Sequence, residues 1–320
     1  MSAFVRRRAL VGLPVLLLVT ILAFLLVRLA PGDPADLLIP PEARSGASAQ
    51  TLAALRHSYG LDQSLPVQYW GWLRHALTGD LGTSYLSQQP VTTLMGQRAG
   101  ASAMLMGAAM LASLAIGVPL GVLAALRRNR FMDRAISVVS MTAISIPNFF
   151  LAMIAISVFA LSLGWLPSAG RTTTGTGGGA LDELRHLVLP AGVLACALIG
   201  PYMRFTRQAM LDALGEDYLR TARAMGIPAR RRHLVHALRP ALIPLVTAVF
   251  VQIPVLIGNT VVIERIFSWP GMGDLLLTSL DNQDYPVIVG FASVTGVVVF
   301  LANLLADLLA AALDPRIRHA

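Results

Sequence analysis

In 320 residues the chain carries 55% hydrophobic and only 13% charged side chains, with a formal net charge of +8 at pH 7. An average soluble domain is charged at about a quarter of its positions, so this balance excludes an ordinary soluble fold and points to a membrane protein. All 25 basic residues are Arg, and without Lys a phosphate-cradling P-loop, a Schiff-base amine and a Lys general base are excluded together.

The Arg residues fall beside apolar runs, which assigns the positive charge to membrane lipids and polar partners rather than to nucleic acid. Cys196 is the single cysteine and lies in an apolar run, so no intrachain disulfide forms and it reads as a core residue. Arg6, Arg7 and Arg8 precede an apolar run over 9–27. That run is too long for a signal-peptide core, and Arg28 stands where a cleavage motif wants a small residue, so it reads as a retained first membrane helix. Pro31-Gly-Asp-Pro34 ends it. The mixed stretch 31–98, with Tyr69, Trp70, Trp72 and Tyr85, predicts an ordered external insertion whose aromatics are interface anchors rather than a ligand box.

Five further spans are predicted at 99–126, 135–163, 187–203, 241–263 and 287–313, each near the roughly 17 to 25 residues that a bilayer requires. With both termini in the cytosol, 17 Arg residues fall inside and 8 outside, and the positive-inside bias selects that orientation. The expected fold is all-α and polytopic, with six transmembrane helices. It divides into a tip and first helix (1–30), the insertion (31–98), a five-helix core (99–313) containing a polar loop at 212–239, and a cytosolic tail (314–320). Pro119, Pro147, Pro190, Pro201, Pro244 and Pro254 interrupt the spans, as do Gly117, Gly121 and Gly258. They read either as bendable helices lining a pathway or as the ordinary composition of membrane helices. The Gly- and Thr-rich stretch 168–180 predicts a flexible loop.

The polar interruption 217–244 is the feature the other segments flank. Residues 217–225 predict a short helix with acids at its positive N-terminal end, and Gly226 is placed to end it in the left-handed conformation. Arg230, Arg231 and Arg232 follow, a run that stays cytosolic beside a membrane. From the residues alone two readings stand: a cytosolic docking element, whose small Ala222 and Ala224 permit close approach, or a basic loop that only orients the chain.

Tyr218-x-Arg-Thr-Ala-Arg-Ala-x-Gly226 followed by His236-Ala-Leu-Arg-x-Ala-Leu-x-Pro244 resembles the EAA cytoplasmic loop of ABC importer permeases of the dipeptide, oligopeptide and nickel branch. The resemblance extends over Tyr59-Gly-Leu-Asp62, Pro66-Val-Gln-Tyr69, Gly79-Asp-Leu-Gly-x-Ser84, Ser145-Ile-Pro147-x-Phe-Phe150, Phe267-Ser-Trp-Pro-Gly-Met-Gly273, Asp284-Tyr-Pro286 and Leu313-Asp-Pro-Arg-Ile-Arg318. It implies a peptide permease subunit in a bacterial cytoplasmic membrane, assembled with a homologous second permease, two ATP-binding subunits and an external substrate-binding protein. It further implies that Tyr218, Thr221, Ala222, Ala224 and Gly226 form a surface docked into the ATPase, with Arg220, Arg223 and Arg239 pairing with partner acids or with the loop itself. The family's namesake acid is replaced here by the Thr-Ala-Arg-Ala run, so Glu216 and Asp217 receive no ion-pair role. No cofactor is implied in this chain, ATP and Mg belonging to the partner ATPases. A nickel or metallophore importer shares these motifs, and a self-sufficient channel or secondary transporter is the reading from a different class. Against the latter, Asp307 is the only acid inside a predicted span, and it sits near a cytosolic end.

Other constellations lead nowhere. Gly271-Met-Gly273-Asp274 matches an intramembrane aspartyl protease signature but lacks a facing second Asp. The six His residues show no metal-ligand spacing. No nucleophile elbow or His-Glu-x-x-His is present.

Overall fold

The computed structural model describes residues 2–29, 49–58, 60–173, 175 and 178–313. The expectations for 31–48, Tyr59 and the tail 314–320 lie outside the described residues. Among those described the chain is helical, and its one β feature is an isolated bridge between Thr83 and Pro90. In order the helices are α1 (Ser2–Leu29), α2 (Ala49–Ser58), α3 (Leu65–Leu77), α4 (Val91–Leu126), α5 (Phe131–Ser145) and α6 (Asn148–Ser162). There follow α7 (Ala180–Gly215), α8 (Asp217–Ala224), α9 (Ala229–Val251), α10 (Ile253–Ile266), α11 (Met272–Asp281) and α12 (Tyr285–Leu313). Five of these, α1, α4, α7, α9 and α12, are long and apolar enough to cross a membrane.

Two predicted spans are divided. The third, 135–163, breaks at Ile146, which leaves the helical region at φ −84, ψ 123. Pro147 enforces this, because its ring disfavours the helical conformation of the residue before it and it has no N–H to give. A new helix then starts on the Pro147 carbonyl, which accepts from the amides of Phe150 (3.0 Å) and Leu151 (3.1 Å). The fifth, 241–263, is interrupted at Gln252, two residues before the donorless Pro254. By contrast the fourth grows from 187–203 to the full length of α7, through Pro190 and Pro201. This is the most enclosed of the five long helices, with 67% of its apolar window buried. Pro119 of α4 and Pro244 of α9, also expected as interruptions, likewise lie inside continuous helices.

The described residues form two compact units, one built on Ala101–Pro270 and the other on Arg6–Gly100 and Gly271–Phe300. The second therefore joins the first helix and the insertion with a later segment that the sequence reading had assigned to the core. In the first unit, Leu194, Leu198 and Tyr202 of α7 pack with Leu105 and Ala109 of α4, Ala152 of α6 and Ile263 of α10. Gly121 is needed for the approach of α4 to α7, since a Cβ there would lie 2.6 Å from the Met203 carbonyl oxygen and 2.7 Å from Thr206 Cβ. At the start of α5, buried Asp133 receives two hydrogen bonds from Arg207 of α7 (2.7 and 2.8 Å) and one from the Asn129 amide (2.9 Å). This charge-assisted pair fixes a turn that the Arg127–Arg130 stretch alone would leave loose.

In the second unit the buried carboxylate of Asp284, just ahead of α12, accepts from Ser84 Oγ and from the Tyr85 amide (2.9 Å). The Tyr69 hydroxyl lies 2.8 Å from Thr20 Oγ1, and its ring meets Phe24 edge-on at 5.6 Å. The described part of the insertion is thus ordered and held to α1 and α12.

Gly121→Ala is expected to destabilise the chain by about 1–3 kcal/mol, because backbone atoms must move to admit the methyl group. Gly107 of the same helix has nothing within 4 Å of its would-be Cβ, so Gly107→Ala should leave the melting temperature equal or higher. Thermal unfolding of the two detergent-solubilised variants checks the contrast, and equal melting temperatures would count against the close approach.

Candidate functional site

The segment from α8 to the start of α9 is the most polar helical element between two long apolar helices. It follows α7 after one extended residue, Glu216 (φ −71, ψ 145), so α7 and α8 share no continuous ladder. α8 ends one residue earlier than predicted, at Ala224, and Gly226 takes φ +74, as its helix-ending position leads one to expect. The hydrogen bonds define the closure: the Ile227 amide donates to the Ala222 carbonyl (3.1 Å) and the Gly226 amide to the Arg223 carbonyl (3.0 Å). That is a Schellman motif, in which a left-handed residue lets the chain turn back and satisfy the last carbonyls.

Only two α8 side chains face inward. Leu219 and Ala222, 5% and 4% exposed, join a small core with Val122 and Ala125 of α4, Met210 and Ala213 of α7, and Ala237 and Ala241 of α9. This corrects the placement of Ala222: it seats the helix on its own chain instead of lying on the outer surface, because its spacing of three from Leu219 puts both on one helical face. Tyr218, Arg220, Thr221, Arg223, Ala224 and Gly226 are exposed, as is Arg239 on α9. Arg220 pairs with Asp217 one turn earlier (3.2 Å), both side chains fully solvated, a contact of little energetic weight. Thr221 Oγ1 donates to the Asp217 carbonyl (3.2 Å).

Tyr218 has a more specific role. α9 opens with a widened π-helical stretch, Arg232–Ala237, just before Pro240. Pro240 cannot donate to the carbonyl of His236 four residues earlier, and the Tyr218 hydroxyl donates to that oxygen instead, at 3.2 Å. Burial, with the Glu216 carboxylate adding to it, pushes the Tyr218 phenol up, so the hydroxyl keeps its proton at neutral pH. The tyrosine fastens α8 to the first turns of α9. It also borders an open cleft of about 670 Å³ between α7, α8 and α9, where Asp212 and Glu216 contribute carboxylates.

Sequence reasoning missed a buried acid. Glu264 lies one residue beyond the predicted fifth span, is wholly buried in α10, and accepts from Ser102 Oγ of α4 at 2.5 Å. Asp307 is therefore not the only acid within the apolar helices. Next to this contact Trp269, also wholly buried, donates Nε1–H to the Ala101 carbonyl (2.9 Å). Asp274, from the protease-like signature, faces Arg98 (3.4 Å). Among the described residues no group of three or more His, Cys, Asp or Glu side chains is arranged to hold a metal ion. The ends of the 168–180 loop are tied down: Arg171 to Glu183 (2.6 Å), and the Thr173 amide and hydroxyl to Asp182 (2.6 and 2.7 Å).

Five long apolar helices, with one short polar helix fastened between two of them, define a polytopic membrane protein of the permease class. The chain belongs to the family of binding-protein-dependent transport system inner membrane components, which it matches over residues 117–319, with the N-terminal membrane component of such systems matched over residues 1–103. It is 40% identical over 320 residues to the oligopeptide transport system permease protein AppB of Bacillus subtilis, covering 100% of both chains. It is likewise 40% identical over 319 residues to the glutathione transport system permease protein GsiC of Salmonella choleraesuis, again over 100% of both. Its fold resembles a chain of the MetNI methionine ABC transporter in an inward-facing conformation, with a TM-score of 0.57 at 18% identity, over 69% of this chain and 96% of that one. The protein is thus a multi-pass translocation component of an inner membrane.

Tyr218→Phe removes the hydroxyl and keeps the ring. Losing one such hydrogen bond is worth about 1 kcal/mol, and hydrogen exchange of the 218–227 amides should quicken by about fivefold while the core of α7 stays protected. Unchanged exchange at 218–227 would mean that the Tyr218–His236 contact does not hold α8.

Proposed function

We propose that this chain forms the translocation pathway of an ATP-driven peptide importer and that α8 is the element through which a separate ATPase acts on it. The observation that carries the reading is the fastening of α8: inner face in the core, C-terminus closed at Gly226, hydroxyl link to α9. An exposed helix held in this way transmits displacement to the apolar helices instead of absorbing it. The outer face, Tyr218, Arg220, Thr221, Arg223, Ala224 and Gly226 with Arg239 nearby, is assigned to docking, and Ala222 with Leu219 to seating the helix from beneath.

The peptide substrate is supported by the oligopeptide and glutathione permeases that share the whole length of the chain. By the same relation the complex comprises a second homologous permease, two ATP-binding subunits holding ATP and Mg, and an external binding protein. The Arg distribution supports placing both termini and α8 in the cytosol. Transport follows alternating access: ATP-driven closure of the ATPases moves the docked helix, and the pathway reorients because the ATPase has different affinities for the two arrangements.

Gly226→Val meets no steric obstacle, since nothing lies within 4 Å of a Cβ there. It must nevertheless hold a β-branched residue at φ +74, at a cost of about 1–3 kcal/mol. Gly226→Asn, which tolerates that conformation, costs less. In vesicles reconstituted with all subunits, the Val variant should assemble yet fail to drive peptide uptake, while the Asn variant retains it. Wild-type uptake by the Val variant would refute the assignment.

A further inference from the structure

Where the chain returns to the membrane after α8, its surface is apolar further out than hydrocarbon explains. Leu234 and Val235, in the first turns of α9, are 46% and 50% exposed, and Met225, in the turn that closes α8, is 68% exposed. Arg239 is exposed as well, just ahead of the apolar span that begins at 241. An arginine at the edge of a span carries its charge to the headgroups. Leu234 and Val235 lie five and four positions beyond it, about 6–8 Å further from the hydrocarbon at the helical rise. Acyl chains therefore do not cover them.

The backbone displays the pair. Within the π-helical stretch Arg232–Ala237 the Leu238 amide donates to the carbonyl of His233, five residues earlier instead of four. Such stretches are rare and recur at functional sites. Ala237, at the end of the stretch, is sunk in the core that Leu219 and Ala222 of α8 also enter, so Leu234 and Val235 are held beside α8 while remaining outside that core. The charge around them has one sign. From Tyr218 to Arg239 the chain contains no Asp or Glu, and Arg223, Arg230, Arg231 and Arg239 are all exposed.

An apolar centre bordered by guanidinium groups matches an apolar pocket with carboxylates at its rim, the usual division of a protein interface into a dry centre and a charged edge. Lipid headgroups would satisfy the arginines but leave Met225, Leu234 and Val235 in water. We propose that these three side chains make a second, apolar contact with the ATP-binding subunit, filling an acid-rimmed pocket next to the place where α8 docks. Resting on the docking of α8 proposed above, this contact adds the first turns of α9 to it, so that the partner grips both the polar helix and the membrane helix that follows.

In the complete complex, reconstituted in lipid vesicles, a photo-crosslinking amino acid is placed in turn at Met225, Leu234 and Arg223. The probes at 225 and 234 should both join this chain to the ATP-binding subunit. Leu234→Ser combined with Val235→Ser should weaken retention of that subunit in detergent about tenfold, the scale of losing an interface anchor. The melting temperature of the chain alone should not change, because both side chains are exposed. Arg230→Gln combined with Arg231→Gln should also weaken retention and flatten its dependence on salt. An adduct from 223 without adducts from 225 and 234 leaves α8 docked and overturns the apolar contact, whereas no adduct from any of the three overturns the docking of α8 as well. Adducts from 234 to lipid or to the second permease in place of the ATP-binding subunit overturn the choice of partner, as does undiminished retention by the double serine variant. The adducts decide the matter even where that variant fails to fold.

Discussion

Each proline inside a membrane helix leaves a carbonyl without its usual amide donor, and in hydrocarbon no water can take the donor's place. Much of this architecture follows from where those carbonyls go. At Pro147 the helix simply ends and restarts, with α5 and α6 in place of one span. Ahead of Pro254 the regular helix ends at Val251 and restarts at Ile253, while Gln252 keeps its own bonds to Ala248 and Leu256. At Pro190 and Pro201 of α7 the helix continues, as it does at Pro119 of α4 and Pro244 of α9. At Pro240 the freed His236 carbonyl takes a hydrogen bond from a side chain eighteen residues earlier, the Tyr218 hydroxyl. That last solution joins the one short polar helix of the region to an apolar one.

The consequence is mechanical. A loop tethered only at its ends would absorb a push from a partner, whereas α8 is held at three kinds of contact. Leu219 and Ala222 are sunk among alanines, a valine and a methionine from three other helices. Gly226 closes the C-terminus through two backbone hydrogen bonds that need its positive φ. Tyr218 links the exposed flank to α9. Behind α8, α7 is braced against α4 at Gly121 and against α5 through the Arg207–Asp133 pair. The helices behind α8 are thus themselves in close contact.

The helical character, the approximate position of most spans and the turn at Gly226 were legible because hydropathy and helix-stop chemistry are local signals. What remained hidden depended on contacts remote in sequence. Pro147 and Pro254 were visible as interruptions, but the same residue type broke two predicted spans and was carried inside α4, α7 and α9, and nothing local in the sequence separates the cases. Ala222 looked like a docking residue for its small size, although its spacing from Leu219 already placed it on the apolar side of a helix otherwise polar. Glu264 escaped because it sits one residue past an apolar run, where an acid looks like the start of a loop. Its partner Ser102 lies 162 positions away. Asp284 likewise gave no sign that it would gather the turn at Ser84 and Tyr85.

The central claim, that the exposed face of α8 meets an ATP-binding subunit, is tested most directly by placing a photo-crosslinking amino acid at Arg223 in the assembled complex. Arg223 is exposed in the last turn of α8. Illumination should join this chain to the ATP-binding subunit, while the same probe at exposed Thr173, in the loop ahead of α7, should give no such product. Absence of the adduct from position 223, or equal yield from 173, would contradict the account.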